Sequence, residues 1–123
     1  MSLPAFAQQQ GWGFVQSVGG IRLEAPTRAT GVWVLPLVVN VSGLTATTLR
    51  PTVLNSGLAC EATAAVVEGT NIYISVVTGI AGPGKSAVCP AAQLGTLAPG
   101  QYAVFYRGVN EKPVHLGRVA VGL

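Results

Sequence analysis

Apolar residues in this chain fall at every second position in short runs, and no segment sustains the three-and-four spacing of an amphipathic helix. Sixteen glycines and eight prolines punctuate those runs, too often for long helices. The pattern predicts a first strand over Trp12 to Val18, broken by Gly19-Gly20, and a short one over Ile21 to Glu24. Pro26 to Thr30 reads as a turn. Val32 to Val41 is the strongest strand, with Leu37, Val39 and Val41 sharing one face and Pro36 marking an edge or a bulge. Thr47 to Leu54 is a weaker strand, interrupted by Pro51. Cys60 to Val67 and Ile72 to Thr78 flank Glu68-Gly69-Thr70-Asn71, which predicts a hairpin with a four-residue loop. Leu94 to Leu97, Gln101 to Arg107 and Val114 to Val121 complete the series. Tyr102, Val104 and Tyr106 are expected on the core face, with Arg107 turned to water. Seven or eight strands over this length predict an all-β fold, a two-sheet antiparallel β-sandwich.

Composition narrows the function classes. The 123 residues set a single domain over 11–123, behind a disordered N-terminus at 1–10. The longest apolar run, Val32 to Val39, carries Pro36 and is far too short to cross a bilayer. The net charge of +3 comes from seven basic residues scattered along the chain, without the clustered basic face of a nucleic-acid binder. Four glutamates, no aspartate and one histidine, His115, leave little for acid–base catalysis or metal binding. The reading is therefore not an enzyme, with no catalytic residues, no metal and no cofactor.

The N-terminus adds a compartment. Leu3-Pro4-Ala5-Phe6-Ala7 ahead of Gln8-Gln9-Gln10 reads as the remnant of a secretory signal peptide, with small residues at Ala5 and Ala7. Export to a bacterial periplasm or the cell exterior is expected. In an oxidising compartment Cys60 and Cys89 most simply pair as a disulfide, and no C-x-x-C spacing points to redox or zinc chemistry.

Leu94-Gly95-Thr96-Leu97-Ala98-Pro99-Gly100-Gln101-Tyr102-Ala103-Val104 resembles the corner-and-strand signature of bacterial exported immunoglobulin-like domains. The resemblance implies an immunoglobulin-like sandwich and no particular function. The chain departs from the antibody-type pattern: its cysteines lie close together, and Trp33 precedes Cys60 instead of lying between the two.

One motif stands out. Gly79-Ile80-Ala81-Gly82-Pro83-Gly84-Lys85-Ser86 fits the phosphate-loop pattern G-x-x-x-x-G-K-S. A phosphate loop must open a helix, which Pro90 would stop, and needs an aspartate for the metal, which is missing. No nucleotide is expected there. Asn40-Val41-Ser42 is a glycosylation sequon inside a predicted strand, where an acceptor loop is not expected. Tyr73 and Phe105 fall opposite the main apolar sets of their strands and are candidates for an exposed contact surface. The sequence thus predicts a module acting by protein–protein contact, as a homo-oligomer or as a structural or assembly subunit. The alternative is a small-ligand or carbohydrate binder using sandwich loops and exposed aromatics.

Overall fold

The computed structural model describes residues 7–44, 51–53 and 55–122. In chain order the elements are β1 (Gln8–Gln9), α1 (Trp12–Ser17), β2 (Arg22–Leu23), β3 (Thr27–Ala29), β4 (Val32–Leu35), β5 (Leu37–Val38), β6 (Leu58–Glu68), β7 (Asn71–Ile80), β8 (Ala92–Gly95), β9 (Gly100–Tyr106) and β10 (Val114–Val121). The chain is all-β, with one short helix among the described residues.

The largest sheet is built on β7. One edge of β7 pairs with β6 along its whole length, antiparallel. The other edge is shared: β9 runs parallel to Asn71–Ile74, and β1 pairs antiparallel with Val77 and Thr78. β10 pairs antiparallel with β9. The remaining strands form a second group. β3 pairs with β4 and β4 with β8, while β2 pairs with β5. Pro36 separates β4 from β5 because it has no N–H for the ladder. Its carbonyl instead accepts from Glu24 N–H at 3.0 Å, which joins the two pairings end to end.

Alternation decides what each strand buries. Ile72, Ile74 and Val76 of β7, Val104 and Tyr106 of β9, and Val121 of β10 are fully buried. They meet Leu35, Leu37, Val39, Val41, Ala92 and Leu94 from the second group in one core. The expected faces of Tyr102, Val104 and Tyr106 and of Leu37, Val39 and Val41 are the buried ones. Val104→Ala removes two buried methylene-sized groups and should cost about 1–2 kcal/mol. Ala103→Ser on the half-exposed opposite face should cost under about 0.5 kcal/mol. Urea unfolding of both variants checks the pair, and equal costs would mean that the outer face is also covered.

Several sequence expectations are corrected. The pairing is not all antiparallel, since β9 runs parallel to β7, and the described residues hold ten strands where seven or eight are expected, because Pro36 splits the strand expected over Val32 to Val41 and short pairings form at Gln8–Gln9 and Thr27–Ala29. Trp12–Ser17 is a helix, not a strand. The slot on β7 that a first strand would take is filled by Gln8–Gln9, and a helical turn buries Val15 fully. Gly19 and Gly20, at φ 116° and 81°, end it. Gln8 to Gln10 are accordingly not loose, since Gln10 N–H also donates to Val76 O at 2.9 Å. Thr27–Ala29, expected as part of a turn, is strand. The turn lies at Thr30 and Gly31, whose positive φ values of 48° and 82° suit a tight hairpin. The β6–β7 loop has two residues, not four, with Gly69 at φ 62°. Of the strand expected over Thr47 to Leu54, residues 51–53 carry no strand and the rest lie outside the described residues, as does Ala5 of the export signature.

Candidate functional site

The face of the large sheet turned away from the core carries a row of side chains crossing four strands. Register sets the row: Val66 of β6 is opposite Tyr73 of β7, Tyr73 is opposite Phe105 of β9, and Phe105 is opposite His115 of β10. Directly opposed residues on one face touch. Tyr73 and Phe105 stack with ring centroids 5.3 Å apart and planes at 23°. His115 meets Phe105 edge-on at 5.3 Å and 70°. Val66 and His115 are exposed, and the two aromatics are half-buried. The two residues expected at a contact surface, Tyr73 and Phe105, are therefore brought together on one open face.

Arg107 completes the patch, and its backbone is fixed on both sides. Its N–H donates to Ile74 O at 2.9 Å, and its carbonyl accepts from Ser75 Oγ at 2.7 Å and Gln9 Nε2 at 3.0 Å. The guanidinium carbon then lies 3.8 Å from the centre of the Tyr73 ring. At a half-exposed site such a contact contributes about 0.5–1 kcal/mol. Glu68 adds a loose ion pair to Arg107 at 3.7 Å, and Asn71 Nδ2 donates to Tyr73 Oη at 3.3 Å. The sequence reading placed Arg107 in water and missed its role. Arg107 lies two residues beyond Phe105 on the same strand face, but only the parallel β7–β9 register brings it to Tyr73.

The Gly79–Ser86 loop is held by a side chain from β6. Cys60 pairs with Thr78 and Ala62 with Val77, so Glu61 is an extra residue in β6. Such a bulge re-aims a side chain. The Glu61 carboxyl occupies the space over Gly79 that a Cβ would fill. Both Glu61 oxygens accept from Lys85 Nζ at 3.3 Å. The first glycine and the lysine of the motif are thus occupied by one glutamate. After Ser86 the chain runs through a bridge between Asn40 and Val88 into β8, not into a helix. A shallow cleft of about 420 Å³ lies beside this loop, with Asn40, Ser42, Leu58 and Val88 among its lining residues. The Asn40 Oδ1 of the sequon accepts from Ser42 N–H at 3.0 Å and from Ser42 Oγ at 2.5 Å.

Beneath the patch lies Tyr106, fully buried. Burial pushes its phenol above the ordinary tyrosine value. The Val76 N–H that it accepts pulls the other way, and the Glu111 charge adds to the rise. Cys60 and Cys89 form a disulfide that ties the start of β6 to the segment before β8. Among the described residues, no group of three His, Cys, Asp or Glu side chains is gathered as a metal site requires. No helix there is long and apolar enough to cross a membrane. Compared with protein-family models, curated proteins and solved structures, the chain gives no match.

Proposed function

We propose that the chain is a non-enzymatic, exported β-sandwich module, immunoglobulin-like in architecture, that acts by protein–protein contact in a bacterial periplasm or outside the cell. The two strand groups around one core support the sandwich reading. The disulfide supports an oxidising compartment. The observation that carries the contact reading is the row Val66, Tyr73, Phe105 and His115 on the open face, with Arg107 locked over Tyr73. Tyr, Phe and Arg presented on rigid strands are the residue types that anchor protein interfaces. A sugar platform needs a free ring face. Here Phe105 and Arg107 are both spent on Tyr73, which weighs against the carbohydrate alternative. The Glu61–Lys85 pair likewise gives the Gly79–Ser86 loop a structural role without nucleotide.

The test compares the wild type with a Tyr73→Ala/Phe105→Ala double variant immobilised against an extract of the exported fraction. At least one protein should be retained by the wild type and lost from the variant, with both melting at temperatures within a few degrees of each other. A saturable glycan ligand, bound by the wild type and lost in the same variant, would replace the contact reading with the carbohydrate one.

A further inference from the structure

The sequon Asn40-Val41-Ser42, expected inside a strand, lies on a turn. β5 ends at Val38, and Asn40 sits beyond it in an isolated bridge to Val88. The chain then reverses. Gly43 N–H donates to Asn40 O at 3.0 Å, with Gly43 at φ 78°, a conformation that glycine adopts without strain. The turn is tied down from across the fold, where Asn55 N–H and Ser56 N–H donate to Ser42 O at 2.6 and 3.2 Å. A sequon on a surface turn is in the setting that Asn-linked glycosylation uses.

Hydrogen bonding fixes which way the Asn40 amide points. Its Oδ1 faces the Ser42 N–H at 3.0 Å, and a nitrogen in that place would set donor against donor. The same oxygen accepts from Ser42 Oγ at 2.5 Å. Both side-chain bonds of the turn therefore fall on Oδ1. Among the described residues no hydrogen bond uses Nδ2. The side chain opens on the cleft of about 420 Å³ beside the Gly79–Ser86 loop. Nδ2 is the atom that glycosylation changes. A sugar there leaves Oδ1 and one N–H in place, so the turn keeps every bond it has.

The surroundings suit a sugar as well. Val88, 55% exposed, is opposite Asn40 across the bridge, and Leu44, 66% exposed, follows the turn on the same cleft. Opposed strand residues place their side chains side by side. A sugar on Nδ2 would lie against Val88 and take apolar surface out of water.

We infer that Asn40 is the acceptor of an Asn-linked glycan in the exported chain. The donor is an oligosaccharide carried on a lipid diphosphate. Nδ2 attacks the anomeric carbon, and the C–N bond forms as the bond from that carbon to the diphosphate oxygen breaks. The lipid diphosphate leaves, and one Nδ2 proton passes to a base of the transferase. This rests on the export reading above, because the modification belongs to secreted chains. No other N-x-S/T triplet occurs in the sequence, so one occupied position is expected.

Peptide mapping of the chain purified from the exported fraction of its own cells tests this. An amidase that releases Asn-linked glycans leaves aspartate at the acceptor, and in heavy-oxygen water the new carboxyl carries the label. The peptide holding Asn40 should be recovered with a labelled aspartate at that position. Ser42→Ala should lose the glycan, and Ser42→Thr, which keeps the sequon, should retain it. An exported chain whose Asn40 peptide is wholly unmodified overturns the inference and leaves export standing. A chain found in the cytoplasm alone overturns the export reading and the inference with it. A glycan that persists in Ser42→Ala lies elsewhere and equally overturns the assignment to Asn40.

Discussion

Replacing Cys60 and Cys89 together by alanine should lower stability by about 3–4 kcal/mol in the chain-entropy account of a loop spanning 29 positions. The loss should appear as a fall in melting temperature of roughly 10–20 °C for a domain of this size. The bridge matters for a reason beyond entropy. It joins β6, the outer strand of the large sheet, to the segment that feeds β8 in the second group, where the Cys60 bulge has already interrupted regular pairing. Without it, that junction keeps the Cys60–Ser86 and Thr63–Pro90 hydrogen bonds and the Lys85–Glu61 pair. Thermal unfolding of the wild type in reductant should match the variant, and without reductant it should keep the higher melting temperature. Thiol titration of the unfolded, unreduced chain should find no free cysteine; two reactive thiols would refute the bridge.

Tyr106→Phe should cost about 2–4 kcal/mol although it removes a single oxygen. The ring is fully buried, and its hydroxyl donates to Gln10 O at 2.6 Å while accepting from Val76 N–H at 3.1 Å. The variant leaves a buried donor unpaired and unlatches the N-terminal segment from β9. Hydrogen exchange at Gln9 and Gln10 should rise together with the stability loss. The pH dependence follows from the same hydroxyl. Its pKa is raised in the folded state, so its contribution is intact below the ordinary tyrosine range near about pH 10 and is lost as pH climbs through the folded value. The wild type should lose stability in that alkaline window, and Tyr106→Phe should lack that part of the slope. Identical alkaline profiles would show that folding leaves the Tyr106 pKa where it stands in the unfolded chain.

The core strands were legible because alternation is a local signal. Ile72, Ile74 and Val76 or Tyr102, Val104 and Tyr106 need only their own strand to be read. The disulfide was legible from the count and spacing of two cysteines. The helix at Trp12 was not, because aromatic and β-branched residues there imitate a strand. Val15 buries itself through tertiary packing, and Glu111, far along the chain, accepts the Trp12 N–H at 2.8 Å. The candidate site was half legible. Tyr73 and Phe105 were visible as out-of-phase aromatics, but Val66, His115 and Arg107 joined them only through pairing registers between strands. The parallel β7–β9 register has no marker in either strand alone. What occupies the glycine and lysine of the Gly79–Ser86 loop was hidden for a related reason: Glu61 comes from another strand.

The shared edge of β7 also sets an order of events during synthesis. Residues Gln8 to Gln10 are made before the strand they pair with, which follows some 70 positions later, and the hydroxyl that latches them belongs to Tyr106. The β6–β7 hairpin can close early, since its two strands are separated by two residues. From then until β9 is made, the long edge of β7 stands open in a nascent chain. The Gln8–Gln10 segment must therefore wait for β7 and for Tyr106 of β9 before it has its place.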